Sequence, residues 1–197
     1  MGYTKKLWIW LAAIFIASFG VLGLLGREIY VQAPPMPERI ATTSGETIYT
    51  RDDVQGGREA WQTLGGMQLG SVWGHGGYVA PDWGGGWFHR VSTALLDIWA
   101  RKKGAANFAA LDSEDQAALK QRLKTELRTN SYDASTGAIT VSEERAQAIA
   151  ETGQHYATLF SSDPKLSELR EQYAIPEKSL TNDVDRARIG AFFFWTS

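Results

Sequence analysis

Three histidines, a pair of adjacent aspartates and a run of tryptophans are the residues with chemistry to offer in this 197-residue chain. His75 lies in Trp73-Gly74-His75-Gly76, where an imidazole could ligate a metal or a haem. No second histidine or carboxylate stands at ligand spacing, so a structural hydrogen-bonding role is the plainer reading. His89 heads one helical pattern and His155 sits in the middle of another. Both read as surface or core positions. Asp52 and Asp53 are neighbours at a helix start, which suits capping and the helix dipole. Asp82 reads the same way, with an acceptor role behind a ligating side chain as the alternative. No nucleophile elbow, phosphate loop or paired-carboxylate spacing is present. There is no cysteine, which excludes disulfides, thiolate zinc sites, iron–sulfur clusters and a covalently attached c-type haem.

The positions around His75 belong to an unusual stretch, Trp61 to His89, which carries Trp61, Trp73, Trp83 and Trp87 among many glycines. Glycine lets the backbone turn tightly and be approached closely. Tryptophan brings a large apolar body with one N–H that seeks a partner. Such a stretch has little helix or strand propensity of its own, so tertiary contacts must hold it.

The elements that must do so are legible on either side. Leu7 to Gly26 is twenty residues without a charge, about 30 Å as a helix and enough to cross a hydrocarbon core. Trp8, Trp10 and Tyr30 suit the interfacial belts. Lys5 and Lys6 favour a cytoplasmic N-terminus, with the chain from about residue 30 outside the cytoplasm. A cleaved signal peptide is the alternative, but the run is long and no small-x-small site follows closely. Val31 to Arg39 holds three prolines and reads as a stiff exit. A short hairpin is expected about Thr43-Ser44-Gly45, between Ile40 and Glu46 to Thr50.

Helices are then expected over Val54 to Leu64 with Asp52 or Asp53 as cap, and over Trp87 to Lys103. Further helices are expected after Asp112 or Ser113 with the ridge Leu119, Leu123, Leu127, after Ser142, and from Asp163-Pro164 to about Tyr173. Between the third and fourth lie a turn, Asn130 to Thr136, and a short apolar run, Ala138 to Val141. The charged segment from Asp183 to Arg188 gives way to Ile189 to Ser197, IGAFFFWTS. Exposed phenylalanines in such a row are rare in a soluble tail. The composition reads as the opening of a second membrane helix over 184–197; a tail docked into the domain's own core is the alternative. The expected organisation is a membrane helix over 1–30, an extracytoplasmic domain over 31–183 and that second helix. The net charge of −2 carries no footprint for nucleic acid.

Three segments, Arg58 to Gln62, Gly70 to Trp83 and Trp87 to Arg90, resemble the N-terminal part of the quinol-dependent nitric oxide reductases of the haem-copper oxidase superfamily. The likeness continues through Asn130 to Asp133, His155 to Ala157 and Ala191 to Thr196. It implies a mainly α architecture: a membrane helix, then a periplasmic domain of cytochrome c-like fold with a minor β-hairpin and no haem. It implies an inner-membrane location, and a further helical bundle carrying two b-type haems, a non-haem iron and the quinol site. That enzyme reduces nitric oxide to nitrous oxide, in denitrification or detoxification. Partners implied are the lipid bilayer, that bundle and quinol, with a homodimer left open.

In the related cytochrome-c-dependent enzymes a Cys-x-x-Cys-His motif falls where this chain has Gly66, Met67, Gln68, Leu69 and Gly70. Neither thioether cysteine nor the axial histidine is there. The resemblance suggests Met67 and Trp73 as fillers of the vacated haem space. It suggests a calcium ion at the domain junction, held through Gly76 and Tyr78 with carboxylates from elsewhere. It also suggests Trp73, His75, Tyr78, Asp82, Trp83 and Trp87 as a docking surface without catalytic residues. Two contrasting readings are a membrane-anchored binding module with an aromatic platform over 61–89, and a small haem or metal protein using His75.

Overall fold

A long apolar run, a capped helix series and two short β-prone runs account for most of the architecture. The computed structural model describes residues 2–74, 81–177 and 179–197, which fall into two units, Met1–Pro35 and Met36–Ser197. The first unit is a single helix, α1 (Gly2–Gln32), with no buried residue. It is long and apolar enough to cross a membrane.

The second unit opens with β1 (Arg39–Thr42) and β2 (Thr47–Thr50), antiparallel around a turn that Gly45 makes at φ +91°. The sheet is larger than the hairpin expected from the sequence. The run Ala138–Val141 forms β4, which lies parallel to β1 with Ile40 opposite Ile139. Tyr132–Asp133 forms β3, antiparallel to β4 with Tyr132 opposite Ile139. The order is therefore β2-β1-β4-β3. Four-residue strands give too little local pattern to reveal a partner about a hundred residues away.

Helix α2 (Arg51–Thr63) begins earlier than its apolar pattern suggests. Its cap is Thr50, not Asp52 or Asp53: the Thr50 hydroxyl takes the Asp53 N–H, and the Asp53 carboxylate takes the Thr50 N–H at 2.9 Å. This is a capping box with Asp53 at the third position. Gly65 and Gly66, both at positive φ, end the helix as expected. Helix α3 (Trp83–Lys102) starts four residues before the expected Trp87, with Asp82 as cap. Helices α4 (Ser113–Arg128) and α5 (Glu143–Leu159) carry the expected caps Asp112 and Ser142. Asp163 caps a short 3₁₀ turn that leads into α6 (Ser167–Gln172).

The segment expected to open a second membrane helix over 184–197 forms the last helix, α7 (Asp183–Trp195). Ile189 to Phe194 are all buried, so the apolar run faces the core of this domain. α7 packs on α2, α3 and α5. Glycines permit the closest approaches. The Gly57 Cα faces Arg188 and Phe192 of α7, and Gly153 of α5 faces Gly190, with the Tyr49 hydroxyl in the same notch.

Candidate functional site

Asp82 ties the Trp- and Gly-rich stretch together. One carboxylate oxygen accepts from the Ser71 hydroxyl at 2.9 Å and the Gly74 N–H at 2.8 Å. The other accepts from the Gly85 N–H at 2.6 Å, capping α3. Ser71 and Asp82 form a parallel bridge, with Trp83 N–H donating to the Ser71 carbonyl at 2.8 Å. The carboxylate thus holds the two arms of the stretch at the head of α3. Gly70, at φ +153°, has no room for a side chain: a Cβ would meet the Pro81 carbonyl at 2.6 Å and the Trp83 indole. Gly84 is equally crowded, with the Thr196 carbonyl 2.6 Å from the place of a Cβ. The glycines let the end of α7 lie against the first turn of α3.

The tryptophans divide. Trp83 and Trp87 are buried, so neither belongs to a docking surface. The Trp83 ring stacks on Phe193 at 5.3 Å and 4°, and also touches Tyr156, Phe160 and Tyr173. Trp87 stacks on Tyr156 at 5.4 Å and Trp61 lies 5.3 Å from Phe192. Trp73 alone of the four tryptophans in the stretch is exposed, at 50 %, standing edge-on to Trp195. Trp73 adopts φ +59°, a left-handed conformation that costs a bulky residue energy. With three of the four indoles buried, the described residues of 61–89 form no platform of several accessible indoles, the mark of the binding-module reading. His75, Gly76 and Tyr78 lie outside the described residues, and with them the suggested calcium contact.

The sequence resemblance implies a domain of haem-binding type, and the residues present do not fit a haem attached covalently. The chain has no cysteine. The position of the missing motif is a 3₁₀ turn, Gly66–Gln68. Met67 is 54 % exposed, so it and Trp73 do not fill an interior space as expected. The centre is occupied instead by Trp61, Trp83, Trp87, Phe192 and Phe193. Among the described residues no group of three metal-binding side chains converges.

A polar cleft of about 500 Å³ opens between α3 and α5 beside this aromatic core. Arg90, Asp97, His155, Tyr156 and Tyr173 line it. Burial pushes the Tyr156 hydroxyl up to about 12, against the Arg90 guanidinium that hydrogen-bonds to it. Burial, then Arg90, lowers His155 to about 4, so its ring is neutral at pH 7. Its Nε2 finds no partner among the described residues. Sequence reasoning missed this cleft because its walls come from two helices, α3 and α5, that the sequence does not pair. The signal was the helical spacing that sets Gly86, Arg90 and Asp97 on one face of α3.

The depressed His155 gives a pH prediction. Between about pH 6.5 and 4 the unfolded chain binds a proton there that the folded chain does not, so folding weakens as pH falls through that window. Allowing for the partial exposure of the ring, the loss is on the order of 1 kcal/mol. Urea unfolding followed by tryptophan fluorescence should show it, and His155→Gln should remove that part of the slope.

The fold and core define a class: a mainly helical domain with a small mixed sheet and an aromatic interior, in a chain that also carries a membrane-competent helix. Residues 37–197 match the family of NorB cytochrome c-like domains, named for nitric oxide reductase. The chain belongs to that family, in accord with the likeness carried by its sequence. No curated protein matches the chain.

Proposed function

We propose that this chain is the membrane anchor and haem-less periplasmic domain of a quinol-dependent nitric oxide reductase. The observation that carries the reading is the pairing of the family match with a cysteine-free sequence whose core is filled by stacked aromatic rings. A cytochrome c-like domain without a covalent haem has no redox step to perform. Electrons then enter the enzyme directly from quinol in the membrane. Two nitric oxide molecules, two electrons and two protons give nitrous oxide and water, at b-type haem and non-haem iron in the membrane portion.

The domain's part is structural. α1 holds it to the bilayer, with the N-terminus on the cytoplasmic side by the positive-inside rule. The exposed edge formed by Trp73 and its neighbour Trp195 docks on the membrane portion and limits water at the buried haem. A calcium ion at the domain junction would be held through Gly76 and Tyr78, with carboxylates supplied from elsewhere.

The test is purification from native membranes, with intact mass, a pyridine haemochrome spectrum and turnover. The expected result is b-type haem without c-type haem, in a chain heavier than 21.8 kDa or in a complex with a separate haem-bearing chain. Nitric oxide consumption should follow quinol and not reduced cytochrome c. A haem-free species of 21.8 kDa with no haem-bearing partner would overturn the proposal.

A further inference from the structure

A second face of the domain is charge-segregated. Phe88 is 45 % exposed on α3. It lies in a groove with Ser92 of α3 and with Lys120, Leu123, Lys124, Leu127 and Arg128 of α4. The three cations stand at intervals of four, so they form one stripe along α4. All three are exposed, and no ion pair among the described residues engages them. Among the described residues no carboxylate lines this groove. The chain as a whole carries a net charge of −2, so cations gathered without acids depart from the average surface.

Phe88 also reaches the cleft that holds Ile139 and Tyr132 of the sheet, where Arg145 is the further charge. The chain enters the domain at the β3–β4 turn of the same sheet, leading into the interior strand β1: Glu38 N–H donates to the Gly137 carbonyl at 2.7 Å. Only Ala33, Pro34 and Pro35 separate Gln32, the last residue of α1, from Met36. Three residues span at most about 10 Å of chain.

We propose that the α3–α4 face around Phe88 seats the domain on anionic lipid headgroups. Phe88 and the half-buried Leu123 and Leu127 enter the interfacial zone, while Lys120, Lys124 and Arg128 meet lipid phosphates. Each cation near such a surface adds attraction that salt screens. The inference rests on the membrane attachment proposed above.

The test uses the full chain in nanodiscs of phosphatidylcholine alone and of phosphatidylcholine with about one-third phosphatidylglycerol. Amine acetylation of Lys120 and Lys124 is read by mass spectrometry against Lys165, which lies outside the face. In anionic discs the two lysines should react about fivefold more slowly than in neutral ones, and about 0.5 M salt should restore them. Phe88→Ser should weaken the protection while leaving the circular dichroism unchanged. Equal rates in both lipids would overturn the proposal. So would salt-insensitive protection in both, which would mean that protein, the reductase's membrane portion or a second copy, covers the face. A chain that enters neither disc would instead overturn the anchor reading on which the inference rests.

Discussion

Gly57→Ala is expected to lower the stability of the domain by about 3 kcal/mol, a shift of roughly 6–12 °C in the thermal midpoint. A Cβ at Gly57 would stand 2.7 Å from the carbonyl carbon of Arg188 and 2.9 Å from the Phe192 Cβ. Both belong to the body of α7, so neither can swing aside; the helices must separate. Separation would loosen Phe192 and Phe193, and with them the contacts to Trp61 and Trp83. Gly56→Ala is the control. It makes the same chemical change one residue earlier, with the same gain in helix propensity. The atom it meets is the Arg188 Cδ at 2.9 Å, on a long side chain that can rotate away. Gly56→Ala should therefore be neutral within about 1 kcal/mol. Near-UV circular dichroism of the full chain in detergent reads both melts through the buried rings of Trp61, Trp83 and Trp87. Equal effects from the two variants would mean that the α2–α7 crossing is looser than the structure has it.

Trp83→Ala is expected to cost about 4 kcal/mol, the range for deleting a buried aromatic side chain. Trp83 is 1 % exposed and bridges α3, α5, α7 and the segment carrying Tyr173. Its indole N–H has no partner among the described residues, so the loss is one of packing rather than of a hydrogen bond. Trp83→Phe should consequently recover more than half of the loss. A double-mutant cycle of Trp83→Phe with Phe193→Leu should show coupling of about 1 kcal/mol from the stacked pair. If Trp83→Ala unfolds within about 1 kcal/mol of the parent, the aromatic centre is not what replaces the haem as the organiser of the domain.

The parts of this fold legible in the sequence are those set by local chemistry. Asp112, Ser142 and Asp163 announce helix starts because a short polar side chain there satisfies free N–H groups. Gly65 and Gly66 announce a stop because their backbone turns left-handed. The uncharged run within α1 is legible because a bilayer sets a length and a polarity that few soluble helices meet. The Thr50 cap was obscured by Asp52 and Asp53 just after it, since threonine and aspartate both cap well and only geometry chooses among the three residues.

The fate of Phe192, Phe193 and Phe194 was not legible. Composition says that such a run must leave water, and both a bilayer and a protein core satisfy that demand. The choice came from Gly57, Gly153 and Gly190, which bring α7 close enough to α2 and α5 to be buried by them. The same holds for Trp83 and Trp87, whose burial depends on rings that arrive from α5 and α7. The cleft with Arg90 and His155 exists only because two helices separated by about forty residues lie side by side.

The sequence by itself therefore determined the absence of a covalent haem, the membrane-competent helix, most helix limits and the family likeness. Those follow from residue types and spacings within one element. Only the tertiary structure decided which tryptophans are core, that the sheet has four strands, and that the C-terminal aromatic run serves the domain's interior. Those depend on which distant surfaces meet, and hydrophobicity names no partner.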